Sequence, residues 1–198
     1  MNYVVGIDEV GRGPLAGPVV FCACAAEEGF NILELFPKKI LKDSKKLTEK
    51  ARIEIVEKLQ EHIRKEKIIL GIGEVSASEI DKNGLAHALK KAQDTAMEKL
   101  LEQGVSTASK VFLDGGLKIE GFTSETIIQG DEKVPVIALA SIFAKVHRDN
   151  YMKKIGEVYK EYGFERHVGY GTRAHIEAIK KHGITKEHRK SFLENIIG

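Results

Sequence analysis

The first 26 residues constrain the fold most. Tyr3-Val4-Val5-Gly6-Ile7 is an apolar run of strand character that leads into Asp8-Glu9, and Gly11-Arg12-Gly13-Pro14 follows at once. Pro14, Gly17 and Pro18 forbid a helix directly behind that run, and Val19 to Ala26 again reads as a strand. The chain must therefore open with two strands joined by a tight connection. A strand buried on one or both faces does not end in two acids unless something cationic meets them. The glycines let backbone come close to a ligand, and Arg12 between them can fork onto phosphate or sugar oxygens.

The rest of the chain extends this plan. Lys67 to Val75 predicts a third strand, Lys110 to Leu113 a fourth that ends at Asp114, and Phe122 to Ile128 a fifth that runs into Gly130-Asp131. Thr48 can cap a helix whose apolar stripe is Ile53, Val56, Leu59 and Ile63. Ser76 to Glu79 has capping-box spacing ahead of Leu85, Leu89, Ala92, Ala96 and Leu100, a second stripe that ends at Gly104. Pro135 suits the first turn of a long helix through Ala144 and beyond, and the remainder is helical, broken at 163–172 and at Gly183. At 198 residues, with no repeat or linker, the expectation is one α/β domain over 1–198. It would hold a mixed five-stranded sheet flanked by helices, with residues 150–198 as a helical C-terminal extension.

Three of the predicted strands finish at acids beside glycines: Asp8-Glu9, Asp114 and Asp131. Strand ends are where such folds gather their ligand sites. Four converging carboxylates repel and raise one another's pKa unless cations neutralise them. Hard oxygen donors select Mg²⁺ or Mn²⁺ over zinc, and two such ions suit in-line phosphoryl displacement. The histidines lack zinc-site spacing and read as surface or supporting residues. Cys22 and Cys24, two apart in a strand, share a face and read as core rather than as a disulfide.

The net charge of +2 conceals two basic clusters. One runs from Lys38 to Arg52 with seven cations against Asp43 and Glu49; the other holds Arg166, Arg173, Lys180, Lys181, Lys186, Arg189 and Lys190. Two clusters around an acidic centre are what an enzyme acting on a polyanion needs. No apolar run reaches membrane-spanning length and no leader pattern is present, so a cytoplasmic protein without a membrane partner is expected.

Several blocks together resemble type 2 ribonuclease H, which cuts RNA in RNA–DNA hybrids. They are Gly6 to Val19, Asp43-Ser44-Lys45-Lys46-Leu47, Leu113-Asp114-Gly115, Ala140 to Asp149, and Gly169-Tyr170-Gly171-Thr172, in family order along nearly the whole chain. The resemblance implies a ribonuclease H-like fold, with Asp8, Glu9, Asp114 and Asp131 as metal-binding carboxylates. It implies that Gly11, Arg12 and Gly13 sense the ribose 2′-hydroxyl, and that Tyr170 stacks on the sugar after the ribonucleotide. Ser44, Lys45 and Lys46 read as a phosphate grip that orients the duplex without reading sequence. The implied reaction is two-metal hydrolysis on the 5′ side of a ribonucleotide, leaving 5′-phosphate and 3′-hydroxyl ends. The implied partners are RNA–DNA hybrid and duplex DNA containing ribonucleotides, with a monomer as the default state.

Two rivals can be weighed from the same residues. Gly11 to Ala16 matches a dinucleotide fingerprint, but a strand follows the glycines where the pyrophosphate needs a helix N-terminus. A non-catalytic hybrid-binding module is the alternative function, but it would have no reason to gather four acids near a polyanion. It should bind equally well in chelator, whereas an enzyme of this kind should cut only with metal.

Overall fold

Strand β1 (Tyr3–Val10) and strand β2 (Val19–Glu27) pair antiparallel, with Val5 opposite Ala25 and Asp8 opposite Cys22. The structure is a computed structural model that describes residues 2–36, 47–114 and 119–197. The opening strand pair is thus formed, and β1 runs two residues past Asp8. Behind β2 come α1 (Ile32–Leu35) and α2 (Glu49–Arg64); the hydroxyl of Thr48 caps α2 by accepting the Ala51 N–H at 3.2 Å.

Strand β3 (Ile68–Val75) pairs antiparallel with β2. The Ser76 hydroxyl accepts the Glu79 N–H at 3.3 Å, while the Glu79 carboxylate turns instead to Lys91 at 2.6 Å. The capped helix α3 (Ala77–Asn83) is short, because Gly84 takes a left-handed φ of +83° and starts α4 (Leu85–Glu102) in a new direction. Strand β4 (Lys110–Asp114) then enters beside β1, and β5 (Ser124–Ile127) beside β4, both in parallel register. The sheet order is β3-β2-β1-β4-β5, the mixed five-stranded arrangement expected. The fifth strand is shorter than predicted, and Asp131 lies beyond it in a 3-10 turn over Gly130–Glu132.

Each sheet face carries its own core. Val5, Ile7, Phe21 and Ala23 pack with Ala88, Ala92 and Ala96 of α4. On the opposite face Cys22 and Cys24 pack with Ile55 and Leu59 of α2 and with Leu139, Ala140 and Phe143 of α5 (Pro135–Val158). Both cysteines are free and fully buried, in keeping with a core role. Among the described residues no helix is long and apolar enough to cross a membrane.

Past α5 the chain forms α6 (Phe164–His167), α7 (Arg173–His182) and α8 (Glu194–Ile197). These surround a third core in which Leu15, from the β1–β2 connection, packs with Met152, Phe164 and Ile179. The C-terminal segment is therefore built onto the glycine loop itself.

Candidate active site

Parallel pairing of Ile7 with Leu113 makes Asp8 and Asp114 the next positions on adjacent strands, so both acids leave the sheet at one edge. Asp8 and Glu9, as neighbours in a strand, project to opposite faces, yet both border the same cavity of about 340 Å³ with Asp114 and Tyr170. Gly130 donates its N–H to Asp114 Oδ1 at 2.7 Å, which brings the turn carrying Asp131 beside the fourth strand. Asp131, the next residue, is fully buried and is not among the side chains that line the cavity. Among the described residues no three acid, histidine or cysteine side chains close into a ligand set.

Asp8 is a buried and crowded carboxylate. It is 6% exposed, and its pKa is pushed up from 3.8 to about 7. Burial is the main cause, and the charges of Glu9 and Asp114 add to it. A hydrogen bond with Ser141 and the Glu9 N–H, 2.8 Å from Oδ1, oppose the rise without cancelling it. Glu9 instead has a cation of its own chain: Arg12 Nη1 lies 3.0 Å from its Oε1. The arginine expected on phosphate therefore rests on a carboxylate here. Its side chain is 57% exposed, so this is a weak surface pair that a phosphate could exchange.

Two cations not assigned a site role from the sequence line the same cavity. Lys145 sits 2.6 Å and Arg52 3.6 Å from the buried carboxylate of Asp149, and both side chains border the acids' cavity. Arg52 closes the first basic cluster, but most of that cluster, with Ser44, Lys45 and Lys46, lies outside the described residues. The second cluster is not one surface patch. Arg166 and Arg173 pair with Glu165 and Glu177 on the surface, whereas Arg189 is fully buried.

The glycine loop lies over two buried arginines, Arg148 and Arg189. Gly11 has φ +92°, and a Cβ there would meet Arg148 Nε at 2.5 Å, so its glycine is demanded from inside the fold. Gly13 has open space where a Cβ would stand, which leaves its backbone approachable from outside. Tyr170 is 46% exposed on the far rim of the cavity. Its N–H donates to the His167 carbonyl at 2.9 Å. Beneath it His175 and His188 are buried, so of the two readings, surface or supporting, these two take the supporting one. No sequence signal marked them: His175 lies on an otherwise polar helix and His188 in a turn beyond it, and their burial becomes visible only when the extension is packed.

The profile of the Ribonuclease HII family matches residues 5–195. The chain belongs to that family. Ribonuclease HII of Bacillus cereus (strain Q1) is 45% identical over 193 residues, covering 97% of this chain and 69% of the relative. That of Bacillus cytotoxicus is 44% identical with the same coverage. The ribonuclease H2 of Pyrococcus horikoshii OT3 superposes with a TM-score of 0.75 at 24% identity, covering 98% of this chain and 97% of that one. Bst-RNase HIII, solved in complex with Mn²⁺, superposes with a TM-score of 0.68 at 16% identity, over 96% of this chain and 67% of that one. These two establish the ribonuclease H-like fold. Ribonuclease HII is an endonuclease that cleaves RNA in RNA–DNA hybrids and at ribonucleotides embedded in DNA, which excludes the non-catalytic alternative.

Proposed function

We propose that the cavity at the edge of β1 and β4 is the hydrolytic centre, and that it cuts on the 5′ side of a ribonucleotide to leave 5′-phosphate and 3′-hydroxyl ends. The observation that carries this reading is the Ile7–Leu113 register, which brings Asp8 and Asp114 to one edge with Glu9 on the same cavity. The donor set fits divalent magnesium or manganese: the acids offer hard oxygens, no cysteine or histidine is among the described residues that line the cavity, and Asp8 is pushed up to a pKa of about 7 by burial first and by the charges of Glu9 and Asp114 after it. Asp8, Glu9, Asp114 and Asp131 would hold two such ions, which when bound supply charge neutralisation at the scissile phosphate and an activated water. Asp131, buried one residue past the Gly130 that binds Asp114, would join by a small shift of its turn.

The chain's own groups do the selecting. Lys145 and Arg52 face the acids across the cavity and would take the flanking phosphates, where Ser44, Lys45 and Lys46 would extend the grip. Release of Arg12 from Glu9 would free its guanidinium for the phosphate and the carboxylate for metal. The backbone at Gly11 to Gly13 would read the 2′-hydroxyl, and Tyr170 would stack on the next sugar. Without that hydroxyl, desolvated donors and acceptors stay unpaired, which discriminates more strongly than shape does. The domain acts as one unit over 1–198, because its extension buries Leu15 of the sensing loop.

An end-labelled duplex carrying one ribonucleotide, incubated with Mg²⁺, Mn²⁺ or chelator, tests the reading. Metal-dependent cleavage at the 5′ side of the ribonucleotide is expected, and cleavage in chelator or on its 3′ side would refute it.

A further inference from the structure

We propose that Glu187-His188-Arg189, in the C-terminal extension, is a positioning segment that holds the Gly11–Gly13 loop and the Tyr170 loop in one fixed relation, so that ribonucleotide discrimination depends on it. The proposal rests on the reading of those two loops as the sensing elements. It adds residues that touch neither substrate nor metal.

The segment pairs with the glycine loop as a short antiparallel strand would. Gly17 donates its N–H to the Glu187 carbonyl at 2.8 Å, Arg189 donates its own to Leu15 at 2.8 Å, and His188 bridges Ala16 between them. From this anchor the Arg189 side chain turns under the loop. Its Nη2 donates to the Gly11 carbonyl at 2.6 Å and to Gly17 at 2.8 Å, Nη1 to Arg12 at 3.0 Å, and Nε to Gly17 at 3.0 Å. Among the described residues it has no carboxylate within ion-pair distance. Its guanidinium carbon also lies 5.2 Å from the centre of the Phe192 ring, and the charge of Asp81 acts on it from farther off. A buried cation held chiefly by carbonyl dipoles is a costly way to fill space, since an apolar side chain of similar volume would pack with less desolvation. What only the planar fork can do is fix several carbonyl directions at once.

Those directions decide what the loop shows to the outside. In a trans peptide the C=O of one residue and the N–H of the next point oppositely. Turning the Gly11 and Arg12 carbonyls onto Arg189 therefore aims the N–H groups of Arg12 and Gly13 away from it. Among the described residues neither N–H has an acceptor within the chain. Two adjacent free donors beside the acid cavity are the preorganised contact that a hydroxyl or phosphate oxygen requires.

The middle residue governs the other loop. Thr185 N–H donates to His188 Nδ1 at 2.9 Å, so the neutral ring carries its proton on Nε2. That proton faces His175 Nε2 at 3.1 Å, which leaves the His175 proton on Nδ1, donated to the Tyr170 carbonyl at 2.9 Å. A single relay thus runs from the segment to the backbone of Tyr170. Arg148 ties the same two loops from α5, donating to Ala16 and Pro18 on one side and to Val168 on the other. Val168 has φ +44°, a strained conformation for a β-branched residue, and is the kind of geometry that such bracing maintains.

The test compares kcat/KM on a duplex with one ribonucleotide to kcat/KM on a long RNA–DNA hybrid, with melting curves for every variant. Arg189→Met and the milder Arg189→Lys should both lower this ratio, by about tenfold or more for Met, through kcat on the single-ribonucleotide duplex. His188→Phe should lower it as well, and His188→Gln, which restores a donor near Nε2, should recover most of it. The double variant His188→Phe/Tyr170→Ala should lose no more than Tyr170→Ala alone, since one acts through the other. An unchanged ratio in folded Arg189→Lys and His188→Phe, or losses that simply follow melting temperature, would overturn the proposal. If Tyr170→Ala itself leaves the ratio unchanged, the fault lies in the sensing-loop reading; if it lowers the ratio and the segment variants do not, only the positioning role fails.

Discussion

Asp8→Asn should make the metal-free protein more stable at alkaline pH while removing its cleavage activity. The Asp8 pKa in the fold, about 7, lies above its unfolded value of 3.8. Its contribution to stability is therefore fully present below about pH 4 and is lost as pH rises through about 7. At about pH 8.5 the shift of about 3 units corresponds to a folding cost of about 4 kcal/mol, and at about pH 5 the same linkage leaves about 1.5 kcal/mol. Asparagine never ionises and keeps an oxygen for the Glu9 N–H, so the variant escapes the difference, about 2.5 kcal/mol between the two conditions. For a chain of 198 residues this amounts to about 5–10 °C in Tm. The assay is thermal melting by circular dichroism in chelator at both pH values, with Mg²⁺ added in a parallel series. Metal should raise the alkaline Tm of the parent protein more than that of the variant. A Tm difference that is the same at both pH values, or a loss of stability at alkaline pH, would refute the claim that Asp8 is a crowded, cation-demanding carboxylate; so would retained cleavage.

The remaining predictions address the loops and the packing beneath them. Arg12→Ala should change stability by less than about 0.5 kcal/mol, because its pair with Glu9 is exposed, yet lower activity on a single embedded ribonucleotide more than on long hybrids; equal losses on both substrates, measured side by side, would count against it. His175 and His188 are buried and pushed down to about 4, chiefly by burial, so their contribution is present above about pH 6.5 and lost as pH falls through about 4. His188→Gln should then flatten the fall in denaturation free energy across that window, and an unaltered slope in urea titrations at several pH values would contradict it. Gly6→Ala would set a Cβ 2.5 Å from the backbone of Val136 and Ile137, forcing α5 outward at a cost of about 1–3 kcal/mol. Because Ser141 on that helix binds Asp8, kcat should fall together with Tm; a Tm within a degree of the parent would show the contact to be looser than described.

Much of this architecture can be read from local residue patterns. The Pro14–Pro18 stretch excludes a helix, the caps at Thr48 and Ser76 start helices where predicted, and Pro135 opens the long one. These features act within a few residues, so they survive without knowledge of the fold. The break at Gly84 and the short β5 were harder to see. A glycine inside an amphipathic pattern gives no sign of which way the chain will turn, and an edge strand has little apolar signal of its own.

The site divides in the same way. Asp8, Glu9, Asp114 and the Gly11–Gly13 loop stand out because acids and glycines at strand ends are chemically conspicuous in one dimension. Arg189 and His188 do not, since a basic residue in a basic stretch reads as solvated surface. Only the packing of the extension against Leu15 reveals that one is a buried fork and the other a link to Tyr170. The sequence by itself thus determined the strand and helix plan and the carboxylate inventory, because residue type and spacing specify them locally, and its motif blocks carried the resemblance to the family. Tertiary structure alone decided the rest: the register that joins Asp8 to Asp114, the resting partner of Arg12, the bracing of the glycine loop by Arg189 from as many as 178 residues away, and its tie to the Tyr170 loop. Those depend on which distant groups burial brings together, and no local pattern encodes that.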